Sequence, residues 1–346
     1  MFPLIFNTLF IPYIIAMLMA ITMGASGTAP SFSVAYGSNV VRKSIIPGLF
    51  GIMVFLGALI GGGETANTVG KGVLAPELMS SIIVSIILFS VAIALLIASL
   101  LGIPQSTSHT TILSVTAVAL YYNSLNTEKL LLEIIPLWFV LPVISFLFCF
   151  FIGKYIYKPI RKKGYTMSKK VNESPILKWL ILLMALYVSF TIGTNNVANA
   201  VGPIASMTIN EMGLQMNNEN YSLLILIATL IIAPCFGIGS SILGHKIVSK
   251  TGKELFLFGK IEAIIIAFVS GSLLLFASLS KGIPMSLVQL NVAAILGIGV
   301  AKLGFKNIFK KTEVNKFFAM WIISPVIAFS LSLILIILAN YYGLLS

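Results

Sequence analysis

Ten apolar runs, most of them near the roughly 20 residues a helix needs to cross a bilayer, leave this chain few ways to fold. They lie at about Phe2–Met23, Ile45–Ile60, Met79–Leu101, Thr107–Tyr122 and Leu130–Gly153 in the first half, and at Trp179–Ile192, Ser222–Leu243, Leu255–Leu279, Ser286–Lys302 and Phe317–Tyr342 in the second. Only 9% of the 346 residues are charged, where soluble proteins carry about 25%. In lipid every backbone polar group needs an internal partner, and runs of this length satisfy that as helices. The opening run is read as a span and not as a signal peptide, because no Lys or Arg precedes it and it exceeds a typical apolar signal core. Two of the runs are on the short side for a crossing.

Against this background one polar stretch stands out, T-I-G-T-N-N-V-A-N-A-V-G from Thr191 to Gly202. Polar side chains and glycines deep in a membrane are expensive unless they line a protein-enclosed cavity. The stretch is therefore expected to be a broken helix that binds something polar. A weaker copy, G-A-S-G-T-A-P from Gly24 to Pro30, closes the first apolar run. Short amphipathic pieces after each break, Ser31–Val40 and Val197–Met207, would raise the count of membrane segments from ten to as many as twelve.

Loop charge gives an orientation. With the amino terminus outside, 18 of the 22 basic residues fall in inside loops, most densely in a connector from Lys154 to Lys178 and at Lys302, Lys306, Lys310, Lys311 and Lys316. Both termini are then outside. Five spans per half also make the halves enter the membrane in opposite senses. They share features: Gly62 with Gly70-Lys71 matches Gly244 with Gly252-Lys253, and Ala98-Ser99-Leu100 before Gly102-Ile103-Pro104 matches Ala277-Ser278-Leu279 before Gly282-Ile283-Pro284. The expected fold is an all-α polytopic membrane protein of two inverted-topology repeats with broken helices and 10–12 segments. Residues 1–153 form one repeat, 154–178 the connector and 179–346 the other, an architecture of secondary transporters.

The motifs resemble a known family. G-T-N-N-V-A-N-A-V-G is similar to the G-A-N-D-x-A-N-A-x-G signature of the inorganic phosphate transporter (PiT) family, and Ile103-Pro104-Gln105-Ser106-Thr107-Ser108-His109 resembles its P-V-S-T-T-H signature. The resemblance implies paired signatures in two inverted repeats, a cytoplasmic connector and sodium-coupled phosphate uptake through aspartates. This chain has no aspartate: Asn196 stands where the family has one, and Ser26-Gly27 replaces its Asn-Asp. The second P-x-S motif reads Pro284-Met285-Ser286-Leu287-Val288-Gln289. G-A-S-G, with Ala35–Ser38 and Gly61–Glu64, instead resembles the sulfate permease branch of that family, which serves sulfate assimilation.

Chemistry points the same way. Hydrogen phosphate carries a proton to donate, so a phosphate site gains from a carboxylate. Sulfate at neutral pH only accepts, and a carboxylate about 4 Å away would repel it by several kcal/mol at an effective dielectric near 20. A sulfate site is expected to consist of hydroxyls, amides and backbone N–H groups at helix starts. The expected binding residues are Ser26, Gly27, Thr28, Ser106, Thr107, Asn195, Asn196 and Ser286, with Asn199 serving either binding or packing. Glu64, Glu262 and His109 are the candidates for carrying a coupled proton.

The expected activity is import of sulfate, or a related tetrahedral oxyanion, by alternating access, with co-transported protons ahead of sodium; sodium-coupled phosphate transport is the alternative. No enzyme activity, cofactor, metal site or nucleic-acid partner is expected. Gly61-Gly62-Gly63 lacks the Gly-Lys-Ser/Thr of a nucleotide loop, and the net charge of +12 is accounted for by loop lysines. Cys149 and Cys235 read as apolar fillers. The location is the cell membrane, among lipid, and a homodimer is compatible with all of this. Gly57 and Gly61, four residues apart, read as a close helix-packing contact.

Overall fold

A computed structural model describes residues 2–100, 105–157, 174–244, 259–309 and 312–345. Ile103-Pro104 of the first P-x-S motif, Gly252-Lys253 of the repeat comparison, most of the basic connector, and Lys246, Lys250, Lys310 and Lys311 lie outside the described residues. The described part is helical, with one isolated β-bridge between Leu74 and Leu125. Among the described residues, eight helices are long and apolar enough to cross a membrane.

The helices are α1 (Phe2–Gly37), α2 (Ile46–Gly61), α3 (Gly63–Asn67), α4 (Ser81–Leu100), α5 (Thr107–Tyr121) and α6 (Ile135–Phe151) in the first half. The second half holds α7 (Pro175–Asn196), α8 (Ala198–Met212), α9 (Asn218–Ile232), α10 (Pro234–Gly239), α11 (Lys260–Lys281), α12 (Leu287–Leu303), α13 (Phe305–Phe309) and α14 (Thr312–Tyr341). All ten expected runs coincide with helix where they are described.

Two of them do not cross on their own. At about 1.5 Å per residue, the 15 residues of α5 and 17 of α12 reach about 22 and 26 Å, short of a hydrocarbon core of roughly 30 Å. Each folds back on the helix before it. Ser114 Oγ on α5 donates to Ile87 O on α4, and Gln105 Nε2 donates to Leu95 O. On the other hairpin Ile266 and Val269 of α11 pack against Ala294 and Ile298 of α12. Lys302 meets Glu262 at the open end. Nearly every residue of α5 from Thr107 to Ala119 is buried.

The expected breaks are corrected. α1 runs through Gly24–Pro30 without interruption and ends at Gly37, so Ser31–Val40 is not a separate half-helix. Its hydroxyls are satisfied within the helix: Ser26 Oγ donates to Met23 O, Thr28 Oγ1 to Gly24 O, and Ser31 Oγ to Gly27 O. The second break narrows to Val197, which keeps helical angles (φ −61°, ψ −35°) between α7 and α8. Glycines in these stretches let backbones approach. A side chain at Gly24 would strike the Phe236 backbone of α10, and one at Gly193 would strike Val54 O of α2.

The packing contact expected at Gly57 is present, since a Cβ there would collide with Phe190 O on α7. Gly57→Leu is expected to force α2 and α7 apart and to lower stability by at least the about 1–3 kcal/mol typical of overpacking. Gly48→Ala, with open space around it, should leave the melting temperature of detergent-solubilised protein unchanged. A Gly57→Leu protein melting with the wild type would contradict this account of the α2–α7 contact.

Candidate functional site

The starts of α5 and α12 come together in the interior. Both helices begin with a buried serine in extended conformation. Ser106 Oγ accepts from His109 N at 3.3 Å and Ser286 Oγ accepts from Gln289 N at 3.3 Å. These are ordinary N-caps, and each satisfies one of the N–H groups that a helix start leaves over. The N–H groups of Thr107 and Ser108, and of Leu287 and Val288, have no partner inside their own helices. Two positive helix ends thus converge in a place with little access to water.

Asn195, on the last turn of α7, joins them. Its Oδ1 accepts from Met285 N at 2.9 Å and from Ser108 Oγ at 3.3 Å. Its Nδ2 donates to Ser278 Oγ at 2.8 Å and Ile283 O at 3.1 Å. Ser108 Oγ also reaches Met285 O at 2.9 Å and accepts from Asn199 Nδ2 at 3.2 Å. With its amide fully engaged, Asn195 ties the start of α12 to the start of α5. Gly282 makes the α11–α12 turn possible: it adopts φ +60° with Glu64 O only 2.6 Å from where a Cβ would sit.

Around this brace lie five polar atoms that are buried without a hydrogen-bond partner: Gln105 Oε1, His109 Nε2, Asn196 Oδ1, Asn199 Oδ1 and Gln289 Oε1. Unsatisfied groups are rare in protein interiors, and a cluster of them marks a place where water, an ion or a ligand completes the hydrogen bonding. Amide oxygen and nitrogen are assigned from the network, so a half-turn of Asn196 or Gln289 presents NH₂ in place of oxygen. His109 stacks on Trp138 of α6, with ring centroids 3.8 Å apart, and its Nδ1 lies 3.3 Å from Gln289 Nε2. Trp138 Nε1 donates to Pro284 O at 2.9 Å.

The structure therefore brings Ser106, Thr107, Asn195, Asn196, Ser286 and His109 to one place, and adds Gln105, Ser108, Asn199, Gln289, Trp138 and Ser278. Gln289 was legible as the residue three places after Ser286, matching His109 three places after Ser106. Trp138 carried no signal, being one aromatic in an apolar run. Ser26, Gly27 and Thr28 are not joined to the cluster by any hydrogen bond among the described residues. Gly27 packs on Phe50 and Ile192, one turn from Asn195, and Thr28 faces Gly244.

Of the two candidate carboxylates, Glu64 is exposed and its backbone rests against the hairpin turn at Gly282. Glu262 is elsewhere and fully engaged. Its Oε1 pairs with Lys302 Nζ at 2.5 Å and its Oε2 accepts from Gly259 N at 2.6 Å, closing the far end of the α11–α12 hairpin.

A profile described as the phosphate transporter family matches residues 23–332, nearly the whole chain. The chain belongs to that family. It is 34% identical over 334 residues to the sulfate permease CysP of Bacillus subtilis, covering 95% of this chain and 88% of that protein. In fold it is similar to a solved structure named the sodium-dependent phosphate transporter, with a TM-score of 0.77, 21% identity, and coverage of 96% and 99% of the two chains. The family member is a multi-pass membrane transporter, not an enzyme.

Glu262→Gln is expected to destabilise the protein by about 3–5 kcal/mol, the usual result of leaving one member of a buried ion pair alone. Anion affinity of the folded protein should stay within about twofold. A thermal-shift series with a binding titration separates the two. A stable variant with lost affinity would return Glu262 to the site.

Proposed function

We propose that this transporter imports sulfate, binding it between the starts of α5 and α12 and exposing the site to each side in turn. The observation that carries this reading is the composition of the site. Two helix N-termini, the N-cap serines and the neutral amides of Asn196, Asn199 and Gln289 meet there, with no acidic side chain bonded to any of them among the described residues. Positive helix ends attract an anion. A ligand that only accepts hydrogen bonds has no use for a carboxylate, and Asn196 stands where the family signature has aspartate. The sulfate permease relative supports the same substrate.

The halves are taken as inverted repeats, each contributing one long helix pair, one hairpin with a short buried helix, and one closing helix. Loop charge supports both termini lying outside, and the reading takes the membrane to be the plasma membrane. A cavity between α1, α7, α11 and α12, lined by Pro30, Ala185, Lys260 and Asn291 among others, then opens toward the cytoplasm as the release path. Sulfate moving inward against an inside-negative potential does about 4.6 kcal/mol of work per 100 mV, at about 2.3 kcal/mol per charge. At least two cations must accompany it for the step to run without electrical work. Protons are favoured over sodium in this reading, because the chain lacks the family's aspartates.

The second reading is sodium-coupled phosphate transport, favoured by the fold likeness to a transporter so named. Purified protein in liposomes should accumulate labelled sulfate under an inside-alkaline pH gradient, with little response to sodium. Phosphate accumulation driven by sodium, without sulfate uptake, would decide for the alternative. Asn196→Asp is expected to weaken sulfate uptake at least tenfold and to raise the phosphate-to-sulfate ratio. An unchanged ratio in a well-folded variant would remove the acceptor argument.

A further inference from the structure

His109 and Gln289 hold equivalent places, three residues into α5 and α12, and their side chains meet across the gap between the two helix starts. As the atoms lie, Gln289 Nε2 donates to His109 Nδ1. That makes His109 the neutral tautomer with its proton on Nε2, where the N–H is buried and has no partner. On the same amide Gln289 Oε1 is also buried and unpartnered. A single rotation of the amide exchanges the roles: Oε1 accepts from a protonated Nδ1, and NH₂ turns to where the oxygen was.

We propose that His109 carries one of the protons co-transported with the anion, and that rotation of the Gln289 amide couples that proton to anion binding. This rests on the oxyanion reading of the site given above. In the neutral state Gln289 faces the anion with its carbonyl oxygen, which repels it. A proton from the outer solution adds to the lone pair of His109 Nδ1, and the new N–H donates to Gln289 Oε1. The amide NH₂ and His109 Nε2–H then both face the anion, and the imidazolium adds a positive charge. Release to the inner solution reverses each step, the proton leaving Nδ1 for water. One proton offsets one of the two negative charges of sulfate; a second cation offsets the other.

The surroundings suit a ring that alternates between neutral and charged. Trp138 lies flat against His109, and an indole face favours a cation over a neutral ring. The hydrogen bond from Trp138 to Pro284 holds that face in place. The groups presented to His109 are neutral on every side among the described residues: Trp138 from α6, Gln289 from α12, and Asn195 and Asn199 through Ser108. Glu64, exposed, and Lys281 border the Gly282 turn. No fixed charge competes with the anion for the imidazolium.

Linkage makes the effect reciprocal: if the proton strengthens anion binding, the anion strengthens proton binding by the same factor. Calorimetry of sulfate binding to wild-type protein, in buffers of different ionisation enthalpy, should show uptake of close to one proton per sulfate. Affinity should rise up to tenfold for each unit that pH falls while His109 is titrating. His109→Gln and Gln289→Met should each bind sulfate at the weak high-pH affinity at all pH values. In liposomes both should lose most of the response to an inside-alkaline gradient. A purely structural role would lower stability or rate without flattening the pH dependence.

The chain has two histidines, so ¹⁵N-imidazole spectra of His245→Gln protein report His109 alone. They should move from the neutral to the protonated pattern when sulfate is added, whether or not the His109 variants fold. Sulfate binding with no proton uptake, or a neutral His109 in the complex, overturns the proton assignment while leaving the anion reading standing. A wild-type protein that binds no sulfate overturns both.

Discussion

The interior depends on one amide. Asn195 uses both faces of its side chain to tie the turn before α12 to the first turn of α5, through Met285 N, Ile283 O, Ser278 and Ser108. Without such a brace two helix starts would not remain together, because their like ends repel. Asn195 is in turn placed by the α2–α7 crossing, where Gly193 and Gly57 let the backbones touch. The sequence of dependence runs from glycine packing to the amide, from the amide to the hairpin turns, and from the turns to the site. Each step is local and cheap on its own. Together they assemble a polar centre inside an apolar protein.

Much of this was legible in the residues. Apolar runs gave the positions and order of the long helices, but not which of them begin inside the protein, since Ile45–Ile60 and Trp179–Ile192 are no longer than Thr107–Tyr122. The Pro-x-Ser pattern located the caps of α5 and α12. The N-N-V-A-N stretch gave the amides, though not the division of labour among them. Whether Asn195 braces or binds depends on what Met285 and Ser278 do about 90 residues away, and no local pattern contains that.

The break expected at Gly24–Pro30 was misread, and that at Thr191–Gly202 drawn too wide, for a physical reason. Glycine beside serine or threonine in an apolar run has two meanings: it opens a helix, or it lets a neighbour's backbone in while the hydroxyls bond back to carbonyls of their own helix. The second meaning holds in α1, where Ser26, Thr28 and Ser31 are satisfied within one turn. Composition is the same in both cases. Only the opposing helix, here α10 against Gly24 and α2 against Gly193, distinguishes them. Glu262 is ambiguous in the same way. A carboxylate in a span suggests proton carriage, but Lys302 and Gly259 N, brought to it by the hairpin, leave it nothing further to bind.

A site of helix ends and neutral amides has a consequence for how it moves. Fixed acids hold their charge whichever way the protein faces, so a carrier built on them needs bound cations to neutralise the empty site before it can reorient. Among the described residues no charged side chain is bonded to the cluster, so in the proposed reading the charge of the loaded site comes with its ligands. The empty site is neutral and free to cross back, whereas the anion alone would carry two unmatched charges through a low-dielectric core. In the reading proposed above, reorientation with the anion is slow unless cations enter with it, and reorientation of the empty site is not. In that reading the asymmetry couples uptake to a cation gradient without a dedicated gate. It also explains why the amides around His109 are left unpartnered: a fully satisfied network would hold the empty site closed and give the ligands nothing to complete.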